Sequence, residues 1–433
     1  MPITKDASPR RIALFSLALL LAAATAWWQL GRPLDADQRP ARASRAAGAV
    51  ASEPTRASAS LQPAQPDLAP AARELEALAG FVVAKRQLPG LAMVIVQEDR
   101  VLSLRGYGTT EAGGGEPVTP DTVFRLASLS KAFAATLSSQ LVQEEAMAWD
   151  KPIVDHLPAF KLRDYARAQQ VSVRDVLSHK VGIARNMYDR DLEANEPYPL
   201  LAERLSDAPM ACGTGDCYAY QNVAFSLIGD LVFASTGDFY AHQVETRIFH
   251  PLGMTSSTFG REGLEGSARW ARPHVRRGTG WVSVRPKETY YHVPPAAGVN
   301  STARDMGEWL KAQMGRRPDV LPPAVLNPIH TPQVATPGEM RGSRWRRERV
   351  RSAYYGMGWR VFDYSGHTLL FHGGAVQGYR GLIGILPDKQ LGIVVLWNSE
   401  SAAPSALLPS LMDRAIGLPA EDWVGVEDAA ENN

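Results

Sequence analysis

Phe124-Arg125-Leu126-Ala127-Ser128-Leu129-Ser130-Lys131-Ala132-Phe133-Ala134-Ala135-Thr136-Leu137 holds the only Ser-x-x-Lys in the chain. From Ser128 to Trp149 the sequence is rich in Ala and Leu and free of Gly and Pro, so it reads as a helix. A helix starting at Ser128 makes Ser128 and Lys131 neighbours on one face. A serine hydroxyl is a weak nucleophile until a base takes its proton. A lysine half-buried near a helix N-terminus meets that need, because desolvation and the helix dipole both lower its pKa. The free N–H groups at the same helix end can stabilise an oxyanion. Taken alone, the pattern also describes an N-cap serine with a solvated lysine one turn on. The rest of the chain decides between the two.

Upstream of this stretch, Gly113-Gly114-Gly115 and Pro117 mark a loop. Leu91 to Val96 and Val101 to Tyr107 read as two strands turning at Glu98-Asp99-Arg100, and residues 72–87 carry helical spacing in Leu75, Leu78, Ala79, Val82 and Val83. Residues 31–71 are low-complexity Ala, Pro, Arg, Ser and Asp with little to bury, and read as a disordered spacer. At the N-terminus, Lys5, Arg10 and Arg11 precede an apolar run at 12–28 that ends on Ala24-Thr25-Ala26 and Trp27-Trp28. That pattern in residues 1–30 implies export, as a cleaved signal peptide or as a retained inner-membrane anchor. The expected location is periplasmic or extracellular. The chain of 433 residues has 45% hydrophobic and 21% charged residues, as a globular protein does, and a net charge of +1 that favours no nucleic-acid partner.

Downstream, Val171 to His179 reads as a short buried helix closed by Gly182, with His179 in a structural role. Cys212 and Cys217, the only cysteines, flank Gly213 and Gly215; in an exported chain a disulfide is favoured over two free thiols, and two cysteines alone make no zinc site. Tyr220 and Asn222 then enter an apolar helix and project to one side. The phenol can relay a proton, and the carboxamide can hold a substrate amide. A helix is expected over Asp305 to Met314. Arg341, Arg344, Arg346, Arg347, Arg349 and Arg351 read as a solvated loop rather than a nucleic-acid surface. The strand Thr368 to Phe371 runs into His372-Gly373-Gly374, where glycines let a substrate backbone approach the strand edge. Strands at 381–386 and 391–397 form a hairpin, Ala402 to Ile416 a closing helix, and 418–433 a tail.

In this order, Ser128-Leu129-Ser130-Lys131, Tyr220-Gln221-Asn222 and His372-Gly373-Gly374 resemble the three motifs of the serine β-lactamase and penicillin-binding-protein superfamily. The likeness is to the branch that holds class C β-lactamases, small DD-peptidases, D-aminopeptidases and related esterases, and it covers residues 72–417. It implies an α+β sandwich of the β-lactamase/transpeptidase type: a mixed, mainly antiparallel sheet flanked by helices, plus a mostly helical subdomain. It further implies Ser128 as the acylated nucleophile, Lys131 as proton acceptor and Tyr220 as proton relay to the leaving group. Asn222, His372, Gly373, Gly374 and Ala375 become substrate-binding positions, with the N–H groups of Ser128 and Ala375 as the oxyanion hole. His372 stands where class C enzymes carry the lysine of Lys-Thr-Gly, and a neutral imidazole is a weaker carboxylate anchor.

The expected function is an exported serine hydrolase that needs no metal or cofactor. Its partner would be a small-molecule or peptide substrate: a cell-wall D-peptide or small ester, or alternatively a β-lactam. The reading from another class is a non-hydrolytic sensor of muropeptide or drug.

Overall fold

The structure, a computed structural model, describes residues 66–425, so the export segment and most of the spacer lie outside the described residues. Helix α1 (Ala69–Lys85) carries Pro70 in its first turn and buries Ala72, Leu75, Ala79, Val82 and Val83, the helical spacing of the sequence. The next two strands, β1 (Gly90–Gln97) and β2 (Arg100–Gly108), turn tightly through Glu98, whose φ is +55°. Further along come β3 (Val334–Ala335), β4 (Val350–Tyr355), β5 (Arg360–Tyr364), β6 (His367–Val376), β7 (Tyr379–Leu386) and β8 (Leu391–Trp397). These eight strands form one sheet in the order β2-β1-β8-β7-β6-β5-β4-β3, antiparallel at every pairing.

Strand periodicity explains how the sheet sits. Successive side chains face opposite ways, and in β1 Leu91, Met93 and Ile95 join one core while Ala92, Val94 and Val96 join another. Strand β8 divides likewise, with Ile393 and Val395 on the first side and Val394 and Leu396 on the second. Both faces are buried, which is why these strands read as unbroken apolar runs rather than alternating ones. The first core is closed by α1 and by the C-terminal helix Leu407–Ala415. The second is closed by α2 (Ser130–Gln143) and by the helix Ala303–Gln313, whose Thr302 cap accepts the Asp305 N–H at 3.1 Å.

The long excursion between β2 and β3 supplies the helical subdomain and a small sheet, in which Phe124–Arg125 pairs with Val299–Ser301. Cys212 and Cys217 are joined by a disulfide. The arginine-rich segment departs from the expected solvated loop. It contains the short helix Arg344–Arg349, with Trp345 buried, Arg346 paired to Glu339 at 2.6 Å and Arg349 to Asp413 at 3.0 Å. Glu339, just upstream, and the sequence-distant Asp413 tie Arg346 and Arg349 into the structure, while Arg341, Arg347 and Arg351 stay exposed. The packed body also runs past Gly417: the Trp423 indole donates to Asp413 at 3.0 Å.

Trp309 stacks on Phe133 at 4.1 Å between α2 and the helix that follows Thr302, with no exposed surface. Trp309→Ala is expected to lose about 3–5 kcal/mol of stability. Phe81→Ala, at a residue 40% exposed, is expected to stay within about 0.5 kcal/mol of the parent. Urea unfolding of the two variants beside the parent checks both values.

Candidate active site

The turn before α2 is pinned from three directions. The Leu126 N–H donates to the Val299 carbonyl at 2.9 Å, and the Ser130 hydroxyl accepts the Val299 N–H at 3.0 Å. Strand β6 presses against the turn at Gly374, where an added Cβ would lie 2.3 Å from the Leu126 carbonyl oxygen. Gly358 likewise lets the chain pass the other side of α2, since a Cβ there would meet the Lys131 carbonyl oxygen at 2.5 Å. Between these clamps Ala127 is held at φ +51°, a left-handed conformation unfavourable for a residue with a Cβ. Ser128 therefore sits in a 3₁₀ turn, Ala127–Leu129, and the α-helix proper begins two residues later than the sequence suggests.

Ser128 and Lys131 keep their three-residue relation across that junction. Lys131 has no exposed surface, rather than the half-burial expected. Its Nζ donates to Asn222 Oδ1 at 2.7 Å and to the Ala296 carbonyl at 3.2 Å, and lies 3.5 Å from Ser128 Oγ. Burial holds the amine well below the ordinary lysine pKa; Asp189 opposes this and Arg360 adds to it. A neutral amine has two hydrogens and one lone pair. With both hydrogens committed to Asn222 and Ala296, the lone pair is left for the Ser128 side. The Tyr220 hydroxyl donates to the same Ser128 Oγ at 2.9 Å. Burial raises the Tyr220 phenol, against the pull of Arg360 and its bond to Ser128.

Asn222 is occupied at both ends of its carboxamide: Oδ1 by Lys131, and Nδ2 by donation to Asp189 Oδ2 at 2.9 Å. Its first task in this geometry is to orient Lys131, and one amide hydrogen remains for anything else. Sequence reasoning missed Asp189. Its other oxygen, Oδ1, is buried without a partner, and desolvation raises its pKa. No motif announces it; only the fold brings it beside Asn222.

His372 differs from the expectation of a ring that offers its N–H to substrate. It has no exposed surface, and both nitrogens are engaged inside the protein. Nδ1 lies 2.9 Å from the Gly373 carbonyl, an acceptor only, so Nδ1 carries the hydrogen. Nε2 is then the acceptor and faces the Tyr355 hydroxyl at 3.1 Å and an Arg360 nitrogen at 3.3 Å. Beyond Tyr355 the chain continues to His179 Nε2 at 3.2 Å, whose Nδ1 accepts the Gln221 N–H at 3.2 Å. Desolvation first, then nearby cations, push both imidazoles well below the usual range. Two neutral histidines thus face one tyrosine hydroxyl behind Tyr220, whose ring lies 4.4 Å from His179.

Gly373, Gly374 and Ala375 occupy the last part of β6. The pairing with β5 stops at Phe371, so from His372 onward that edge of the strand has no β5 partner. Ala375 is exposed and, with Val376, Arg125 and Tyr290, lines a cavity of about 320 Å³. Among the described residues no cluster of His, Cys, Asp or Glu has the makings of a metal site, and no helix is long and apolar enough to cross a membrane.

Comparison with known proteins adds the following. A family model described as Beta-lactamase matches residues 71–414. Among curated proteins, the chain is 25% identical over 354 residues to Unguisins hydrolase ungD' of Aspergillus campestris (strain IBT 28561), across 78% of this chain and 64% of that protein. It is 25% identical over 324 residues to Protein flp of Staphylococcus aureus (strain MRSA252), across 73% of this chain and 61% of that one. The chain thus spans just under two thirds of the length of these relatives. In structure it is similar to the octameric penicillin-binding protein homologue from Pyrococcus abyssi, with TM-score 0.72 and 24% identity over 83% of this chain and 80% of that one. A class C beta lactamase from Rhodobacter sphaeroides gives 0.63 and 23% over 81% and 100%. A D-stereospecific amidohydrolase from Streptomyces sp. gives 0.62 and 21% over 81% and 98%. These structural likenesses show the β-lactamase/transpeptidase-like fold.

The electrostatics around Lys131 predict the pH dependence of Ser128 reactivity. With Lys131 as the base for Ser128, the competent amine is the neutral one, and reactivity is lost as pH falls through the Lys131 pKa. Asp189→Asn removes the one nearby charge that raises that pKa. The acid limb of the rate profile for a p-nitrophenyl ester is therefore expected to move to lower pH in the variant.

Proposed function

The chain belongs to the beta-lactamase family, and from that premise we propose that it is a serine hydrolase that forms an acyl-enzyme on Ser128. The observation that carries this reading is the bracketing of Ser128 Oγ by the Tyr220 hydroxyl at 2.9 Å and the buried Lys131 amine at 3.5 Å. In the proposed cycle Ser128 Oγ attacks the carbonyl carbon of an amide or ester, and its proton passes to Lys131. The oxyanion meets the N–H groups of Ser128 and Ala375. Tyr220, next to both Ser128 and the Lys131 amine, hands a proton to the leaving nitrogen or oxygen as the carbonyl reforms. Water then attacks the ester carbon, the same groups take its proton, and Ser128 is restored.

The proposed substrate class is a cell-wall D-peptide or a small ester. The name of a D-stereospecific amidohydrolase among the similar structures is in keeping with it. A class C beta-lactamase is also among them, so β-lactam hydrolysis is the second reading. The internal, neutral His372 weighs against it, because no ammonium stands at that strand to take the carboxylate of the drug. A binding-only sensor has no use for a serine flanked by a neutral amine and a phenol. Export belongs to the proposal as well. The Cys212–Cys217 bond supports it, since such bonds persist in oxidising compartments.

The test is intact-mass spectrometry over time after mixing the protein with benzylpenicillin, with a D-Ala-D-Ala peptide and with p-nitrophenyl acetate. Ser128→Ala is run in parallel. An acyl adduct in the parent only is expected, lasting with the penicillin and transient with peptide or ester. Rapid consumption of the penicillin through a transient adduct favours the β-lactamase reading. Equal hydrolysis of peptide and ester by the Ser128→Ala protein sinks the mechanism. Tyr220→Phe is expected to slow ester turnover by about 10²-fold to 10⁴-fold without loss of the folded state, as read by circular dichroism.

A further inference from the structure

The arginine at the start of β5 belongs to none of the three motifs, yet it is the charge set behind them. Arg360 packs its guanidinium 5.6 Å from the centre of the Tyr220 ring and 5.8 Å from that of Tyr355, and reaches His372 Nε2 at 3.3 Å. Its one carboxylate partner is Glu339, at 3.3 Å, and Glu339 also holds Arg346 at 2.6 Å. The side chains of Arg360, Glu339 and Arg346 are only 12%, 10% and 17% exposed. Two guanidiniums on one buried carboxylate leave a positive charge over, and in so dry a setting its field is poorly screened.

The other groups facing Arg360 do not cancel it. Tyr218, Tyr220 and Tyr355 are phenols that burial keeps protonated, and His372 and His179 are neutral. Arg185 and Asp216, of opposite charge, both line the 660 Å³ cavity that Glu339 and Arg346 share, so together they leave that balance as it is. On the far side of Tyr220, Lys131 faces Ser128, Asn222 and, through Asn222, the single carboxylate of Asp189.

We propose that Arg360 is a positioning residue for proton transfer in the hydrolase reading above. Its surplus charge replaces the cation that the His372-Gly373-Gly374 strand lacks, and favours the proton-accepting forms of Lys131 and Tyr220. Both accepting forms, a neutral amine and a phenolate, carry one positive charge less than their conjugate acids, so a fixed cation behind them favours each. The effect does not depend on which of the two takes the Ser128 proton. His372 then serves as a neutral spacer that holds the guanidinium in place, which accounts for an imidazole with no outward-facing hydrogen.

The test needs no knowledge of the natural substrate. A biotinylated fluorophosphonate reacts at an activated serine: the Ser128 Oγ–P bond forms, the P–F bond breaks, fluoride leaves, and the serine proton passes to the base. The labelling rate constant is measured against pH for the parent and three variants. In Arg360→Met the acid limb is expected to rise by about one pH unit, and in Arg360→Lys to stay within about 0.3 unit of the parent. In Glu339→Gln, which removes the counter-charge and keeps a hydrogen-bond acceptor, the limb is expected to fall. Slower labelling of Arg360→Met with an unmoved limb overturns the proposal and leaves Arg360 a packing residue. An upward or unmoved limb in Glu339→Gln overturns it as well, and that variant decides the matter if Arg360→Met does not fold. A parent protein unlabelled at every pH tells against Ser128 as nucleophile. A labelled parent with unmoved limbs tells against Arg360 alone.

Discussion

A lysine side chain with no contact with water is the constraint around which this site is built. An ammonium in such a place is strongly disfavoured, so Lys131 is held as an amine, and an amine needs its two hydrogens placed. Asn222 and the Ala296 carbonyl place them. Asp189 fixes Asn222 in turn. The Ser128–Lys131 turn, Asp189 and Asn222 come from three separate parts of the chain, and each acts by limiting what the next can do. The strained Ala127 and the close approach of Gly374 belong to the same design: they bring a serine out of a buried helix to the one point where the amine lone pair can reach it.

The polar groups behind Tyr220 follow the same logic with neutral partners. A tyrosine hydroxyl can donate one hydrogen and accept others. Tyr355 stands between a histidine that gives it a hydrogen and another that takes one, so neither imidazole is left unsatisfied in a dry interior. The only charges near this chain are guanidiniums and the carboxylate they share. The site is thus a patch of uncharged hydrogen bonds, set between a lone carboxylate on the Asn222 side and a surplus of positive charge on the β5 side.

Much of this was legible in the sequence, because the informative features are local. Ser128-x-x-Lys131 lies within one turn, Tyr220-x-Asn222 within one extended step, and the unbroken apolar runs of β1 and β8 read as strands covered on both faces. The pair of cysteines around two glycines had a local signature too. The parts that escaped are those decided across the fold. The arginine-rich segment reads as a solvated loop until Glu339 and Asp413 are seen to meet it. His372 reads as a substrate ligand until Tyr355 and Arg360 are found to claim its outer nitrogen. Asp189 and Arg360 carry no motif at all; their importance comes from neighbours that lie far away in sequence. Helix α2 starts two residues after the point its composition suggests, because the 3₁₀ turn at Ala127–Leu129 is imposed by packing against β6, which helix propensity does not encode.

The register of the central strands has a consequence for the order of assembly. Leu91 of β1 pairs with Trp397 of β8, so the first strand of the sheet waits for the last before its second edge is covered. Closing so long a loop before any contact rewards it makes for slow folding. The Ser128 turn and the whole of α2 lie between those two strands in sequence, and β6, which clamps that turn, arrives only shortly before β8. A chain under synthesis therefore carries its serine and lysine long before the strand that confines them. Until the sheet closes, the lysine is an ordinary solvated ammonium and the serine an ordinary alcohol. In the hydrolase reading, chain topology alone keeps Ser128 an ordinary alcohol until the sheet is complete.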